Sequence, residues 1–246
     1  MTDAFAPPPP VRIPVRGADG TTFPVRRVYC VGRNFAEHAR EMGADVPPSK
    51  ADRGRPVFFM KPADAIDTRG QVPYPPGTAD LHHEVEVVVG LGRDAPAGRL
   101  DRTGAAALVY GLAVGLDLTR RDLQAAAKAK GLPWDTGKAF DHSAPVGALR
   151  RIGELPPLGQ LTLVLEVNGR LRQRGALADW IWDIPDILGE LSGLYALKAG
   201  DMVFMGTPAG VAPLVPGDAW QARLEDAEGR CWLEAEGRVS SPVPQA

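Results

Sequence analysis

The chain has 246 residues, a formal charge of −2 at neutral pH, and ordinary apolar and charged shares of 44% and 24%, enough for one large or two small domains with a buried core. No run of Lys or Arg forms a basic stripe, which argues against nucleic-acid binding, and the longest apolar stretch, GAAALVYGLAVGL, is too short and too rich in small residues to span a bilayer. The N-terminus lacks the basic flank and apolar core of a secretory signal, and Cys30 and Cys231 make neither a metal motif nor a disulfide framework, so a reduced, cytoplasmic protein is expected.

Gly and Pro make about a fifth of the residues and are spread along the chain, the pattern of many short strands joined by turns. Residues 1–26, with PPPP at 7–10, read as an N-terminal arm or edge hairpin, and 27–246 as one domain. RRVYCVG is a strand running into a compact helix, RNFAEHAREMG, which Asn34 can cap and Gly43 can close. PVFFMKP is a strand, LHHEVEVVVG another, LDRTGAAALVYG a short helix and YGLAVGLDL a further strand. In TRRDLQAAAKAKG, Thr119 and Asp122 have the spacing of a helix start, and Gly131 ends the helix. QLTLVLEVNGRLRQRG is a hairpin turning at Asn168-Gly169, IPDILGELSGLYALKAG an amphipathic helix opening near Pro185, DMVFMGTP a strand, and AWQARLEDAEGRCWLEAEG a last hairpin. The sum is a mixed α/β chain, mostly β, with a few short helices.

Two nucleotide motifs fail on inspection. VVVGLGRDA has the G-x-G-x-x-A spacing with Asp117 downstream, but Pro96 and Gly98 interrupt the helix that a pyrophosphate site needs. GLPWDTGKA is spaced wrongly for a P-loop and has Ala139 where Mg²⁺ needs Ser or Thr. No G-x-S-x-G elbow is present.

LHHEVEVVVG carries the informative conflict. Alternate strand residues share a face, so Glu84 and Glu86 repel each other on one side while Val85, Val87 and Val89 take the other. Strand glutamates commonly face solvent. Asp117 ends the next apolar strand, and if the two strands are neighbours three carboxylates converge. A divalent cation turns that repulsion into binding, and all-oxygen ligands favour Mg²⁺, Mn²⁺ or Ca²⁺ over Zn²⁺. His82 falls on the same face, where it is either a further ligand or a packing residue. His38 and Glu41 share a helix face, either as a surface pair or as a base and its orienting carboxylate; Arg121 and Gln124 also share one, and Lys138 sits among turn residues.

Taken together, YCVGRNFAEHAREMG, FFMKPADA, LHHEVEVVVGLG, YGLAVGLDLTRRDLQ, LPWDTGKAFDHSAPVG, VNGRLRQRG and GDMVFMGTPAGV resemble the fumarylacetoacetate hydrolase family, in the family's order. The wording around the His helix and in GKAFDHSAP is most similar to the fumarylpyruvate hydrolases of gentisate-type aromatic catabolism. The resemblance implies a β-roll or sandwich fold, usually a homodimer, that cleaves a C–C bond of an acylpyruvate (a small 2,4-dioxo acid), without nucleic-acid or membrane partners. It implies Glu84, Glu86 and Asp117 as ligands of Mg²⁺ or Mn²⁺, and His38 with Glu41 as the water-activating dyad on a lid helix. Gln124 and Lys138 are implied as catalytic oxyanion-binding groups, and Arg121 and Thr207 as substrate-binding residues, with Arg33, Lys61 and Asn34 as weaker substrate-binding candidates. A distal carboxylate would fall to Arg120, Arg121 or Lys61. Oxaloacetate decarboxylation or cleavage of another acylpyruvate on the same metal site is the alternative.

Overall fold

Val85–Leu91 and Val109–Leu116 pair antiparallel, Val85 opposite Leu116, and form the middle of a six-stranded sheet. Its order is Arg150–Arg151, Val109–Leu116, Val85–Leu91, Asp201–Phe204, Arg27–Gly32 and Val57–Lys61, with Asp201–Phe204 and Arg27–Gly32 parallel. The computed structural model describes residues 4–6, 8–41 and 52–242. Both faces of the central strands are apolar because both are covered. Val85, Val87 and Val89 join Leu112, Val114 and Leu116 in one core cluster. That cluster also takes in Leu163, Leu165, Ala222 and Leu224 of a five-stranded sheet and the inner side of helix Ile184–Ser192.

The opposite face holds Val88, Ala113, Met202 and Phe204. The hairpin of Arg12–Pro14 and Thr22–Pro24 covers it with Ile13 and Phe23, both buried. Gly90 makes this approach close, since a Cβ there would lie 2.7 Å from Leu149 Cδ1 and 3.1 Å from Phe23 Cζ. Residues 12–24 therefore form a lid on the core rather than a loose arm. Glu86 is on this same face, so apolar packing fills one end of it and carboxylates the other.

Several local expectations meet their structures. Asn168 and Gly169 both have positive φ, 53° and 70°, and turn the hairpin Thr162–Val167/Arg170–Ala176. Gly131, with φ 64°, follows helix Arg121–Ala129. Pro185 is in the first turn of Ile184–Ser192, and Asp183 and Asp186 add a capping box that the sequence reading did not find.

Two expectations are corrected. Thr119 does not cap the helix that follows; it lies in a short strand opposite His82, its hydroxyl donating to Asp117 O, while Asp122 accepts from Thr78 and from the amides of Ala79 and Leu123. Asn34 does not serve as a helix cap either. Its amide donates to the carbonyls of Trp182 and Met205 and accepts from the Trp182 amide, tying the start of helix Ala36–Glu41 to two distant loops. Gly43, the expected end of that helix, lies outside the described residues. Among the described residues no helix is long and apolar enough to cross a membrane.

Candidate active site

The central strand pair builds the site at its end. The Asp117 amide donates to Glu84 O at 2.8 Å, which sets Asp117 beside Glu84 and Glu86. All three carboxylates are buried, and one oxygen from each lies within 4.8 Å of the others. Three cations meet them. Lys138 Nζ donates to Glu84 Oε2 at 2.8 Å and Asp117 Oδ2 at 2.6 Å, and Arg121 Nη2 donates to Glu84 Oε1 at 2.5 Å. Lys61 Nζ is 2.8 Å from Asp117 Oδ1 but donates to the carbonyls of Leu118 and Lys138.

Burial opposes every one of these charges, and their neighbours decide the outcome. For Glu84, burial is overcome by Lys138, Arg121 and His38, and its carboxyl is held below the usual range. For Glu86, burial and the adjacent Asp117 and Glu84 act together and push the carboxyl well above it. For Lys138, burial loses to Asp117 and Glu84, so the ammonium is held protonated.

The residues fit a hard divalent cation. Asp117 Oδ1 is buried and accepts no hydrogen bond among the described residues, with Lys61 Nζ 2.8 Å away as its ion-pair partner. Among the described residues Glu86 has a single donor, the Gly206 amide at 2.6 Å, which leaves lone pairs free on its carboxylate. Three clustered carboxylates, two of them with an oxygen that takes no donor among the described residues, suit Mg²⁺ or Mn²⁺.

His38 is buried and lines the same cleft as Glu84 and Glu86. Its Nδ1 is 3.2 Å from Glu41 Oε2, and the Gly210 amide donates to both Glu41 oxygens at 3.2 and 3.3 Å. The carboxylate that orients the imidazole is thus itself held. Arg33, Arg121, Gln124, Lys138 and Thr207 also line the cleft, and Arg121 Nη1 donates to Gln124 Oε1 at 2.6 Å. The cavity is about 30 Å³, room for an ion or a water or two, so a dioxo acid needs its walls to part.

Lys61 falls elsewhere. It is behind the carboxylates and does not line the cleft, so its contacts place it as a support for Asp117 and Lys138. Arg120 is also turned away, stacking on Phe140 and donating to Thr136 O. His82 donates from Nε2 to Asp80 at 2.9 Å and accepts from Arg121 Nε at 3.4 Å, so it steadies Arg121 and is not in the carboxylate cluster.

The sequence reading passed over four contributors. Gly206 and Gly210 serve through backbone amides, which no side-chain pattern reveals. Lys128, on the helix of Arg121 and Gln124, lines the cleft above the Trp134 ring. Gln173, in VNGRLRQRG, has the pattern of a hairpin residue, yet it donates to Thr207.

An acidic cluster fit for a divalent cation, with a carboxylate-held histidine across the cleft, is the arrangement of a metal-assisted lyase or hydrolase. The family profile described as fumarylacetoacetate (FAA) hydrolase C-terminal matches residues 27–241, and the chain belongs to this family. It is 41% identical over 198 residues to the oxaloacetate tautomerase YcgM of Escherichia coli (strain K12), covering 80% of this chain and 87% of that one. The mitochondrial oxaloacetate decarboxylase of Dictyostelium discoideum is 35% identical over 195 residues, with 78% and 85% covered. A crystal structure of fumarylpyruvate hydrolase from Pseudomonas aeruginosa, in complex with Mn²⁺ and pyruvate, superposes with TM-score 0.88 at 40% identity, covering 98% of this chain and all of that one.

Proposed function

We propose that this protein is a Mg²⁺- or Mn²⁺-dependent acylpyruvate hydrolase whose substrate is fumarylpyruvate, released as fumarate and pyruvate in aromatic catabolism. The observation that carries the reading is the pairing of His38 with a Glu41 itself fixed by the Gly210 amide, across the cleft from Glu84, Glu86 and Asp117. A hydrolase needs a base for water; a buried, oriented imidazole is that base. The Mn²⁺ and pyruvate in the Pseudomonas aeruginosa enzyme support the same assignment.

The chemistry follows from the side chains. His38 takes a proton from water as the water oxygen attacks the acyl carbonyl, and Glu41 stabilises the imidazolium that results. Lys138, held protonated, and Gln124 stabilise the oxyanion from the wall of the cleft. The bond between the acyl carbon and the pyruvyl methylene then breaks, the acid leaves, and the methylene carbon takes a proton to give pyruvate. A bound divalent cation supplies Lewis-acid stabilisation of the departing electron pair. For the distal carboxylate, Arg33 and Lys128 are the cleft cations without a carboxylate partner among the described residues, and they replace Arg120 and Lys61 as candidates. Thr207 contacts the substrate as well. A cytoplasmic homodimer belongs to the same reading.

A panel of acylpyruvates with Mn²⁺, followed by loss of enol absorbance, tests it. Fumarylpyruvate should be cleaved fastest, and His38→Ala should lower kcat by at least about 10³ while Mn²⁺ affinity stays within twofold. The oxaloacetate enzymes among the relatives favour a second reading, enolisation or decarboxylation of oxaloacetate. Decarboxylation needs no attacking water, so oxaloacetate turnover that survives His38→Ala would decide for it.

A further inference from the structure

Thr207 is 2% exposed and lines the cleft, and among the described residues its hydroxyl has one partner, Gln173 Nε2 at 2.8 Å. A hydroxyl and a side-chain amide can share such a contact in either sense, since the amide oxygen and nitrogen are alike in shape. The other contacts of Gln173 decide which. Its Oε1 is 3.1 Å from the Val85 amide, which can only donate, and its Nε2 is 2.7 Å from the Pro208 carbonyl, which can only accept. The amide has one orientation, and the second Nε2 proton goes to Thr207. His83 Nδ1, 2.9 Å from the same Oε1, carries a proton for the same reason. With its oxygen accepting from Gln173, the Thr207 hydroxyl keeps its own proton to give, and no described residue accepts it. The open direction is the cleft.

We propose that Gln173, buried behind the cleft on strand Arg170–Ala176, is a positioning residue that fixes the Thr207 hydroxyl as a hydrogen-bond donor to an anionic substrate oxygen. The identity of that oxygen, on the pyruvyl carboxylate, rests on the acylpyruvate reading. The polarity of the hydroxyl does not. The same amide links three parts of the site: Val85 beside Glu84, the Thr207-Pro208 turn, and the strand behind them. A second consequence is selectivity. A site whose hydroxyl proton is free to give favours a carboxylate or carbonyl oxygen over an ammonium at that point.

A double-mutant cycle on the full-length, Mn²⁺-loaded protein tests the proposal, with fumarylpyruvate as substrate and Thr207→Val, Gln173→Met and the double variant compared. Each single change should lower kcat/KM by roughly 10- to 100-fold, mainly through KM. The double should lose no more than the worse single, because Gln173 acts through Thr207. Thr207→Ser, which keeps the hydroxyl, should stay within about threefold of wild type. Multiplying losses in the double, or a lowered melting temperature for Gln173→Met with kcat/KM unchanged, overturns it. Should Gln173→Met not fold, Gln173→Glu replaces it, since it keeps the shape and the acceptor oxygen and removes the donor. If wild type cleaves no acylpyruvate, the functional reading falls, and the same cycle is read by calorimetric titration with pyruvate. Coupled losses of pyruvate affinity uphold the Gln173 assignment there, and additive losses or no pyruvate binding overturn it.

Discussion

Lys61 shows how far a residue's type is from its role. The sequence offers it as a basic group for a substrate carboxylate, but its ammonium is 2% exposed and spends its protons on Leu118 O and Lys138 O while sitting 2.8 Å from Asp117 Oδ1. It therefore holds one carboxylate of the acidic cluster and, through a backbone carbonyl, the segment that carries Lys138. Lys61→Met keeps the stem and deletes the charge. Removing one partner of a buried pair usually costs about 3–5 kcal/mol, and since Lys138 still faces Asp117 the lower end, about 3 kcal/mol, is expected here. Urea unfolding of the metal-free variant measures it. A loss under about 1 kcal/mol would mean that Asp117 does not depend on Lys61. His82 teaches the converse. Alternation in one continuous strand puts it on the face of Glu84, but the strand breaks at Glu84: Leu81–His83 belongs to a separate three-stranded sheet, and His82 meets the cluster only through Arg121, for which it is an acceptor.

At the scale of elements, the short helix Asp135–Lys138 matters because it delivers Lys138, and a missing side chain is what lets it come close. A Cβ on Gly137 would lie 2.9 Å from Gln124 N and 3.0 Å from Gln124 Cβ, on helix Arg121–Ala129. Gly137→Ala must push the two helices apart, which typically costs about 1–3 kcal/mol. Because Lys138 is the next residue and both its carboxylate contacts are 2.8 Å or shorter, kcat/KM should fall by about tenfold or more even where the protein remains folded. Folded protein with reduced stability and wild-type kcat/KM would show that Lys138 tolerates the shift. Much of this level was legible beforehand. The strand pair ending in Glu84, Glu86 and Asp117, the Asn168-Gly169 turn and the helix after Arg120 follow from periodicity and turn chemistry. What was not legible were contacts made through backbone: the Gly206 amide on Glu86, the Gly210 amide on Glu41 and the Asn34 bonds that displaced its expected capping role. One-dimensional patterns record side-chain types, and amides are common to every residue.

For the whole molecule, the site is a fault line between two well-packed cores. The six-stranded sheet has one face against the five-stranded sheet and the other against the N-terminal hairpin, and the carboxylates occupy the end of that second face. Three carboxylates against Lys61, Lys138 and Arg121 leave the cluster near neutrality without metal, yet Glu86 has its carboxyl pushed up by burial and by Asp117 and Glu84. Folding thus holds Glu86 in a place that disfavours its charge, and a cation reverses the sign of that local field. Ligand binding to the folded state alone stabilises it by about 2.7 kcal/mol at a hundredfold excess over Kd. For a chain of this length that is a rise in Tm of about 5–10 °C on adding Mn²⁺. Glu86→Gln separates the two contributions. The amide oxygen can still accept from Gly206, and the like-charge repulsion is gone, so the metal-free variant should melt at or above the metal-free wild type. Its gain on adding Mn²⁺ should shrink to under about 2 °C. A Glu86→Gln variant that melts well below metal-free wild type, or that keeps the full Mn²⁺ increment, would show that Glu86 is a structural acceptor and that the cation is held without it.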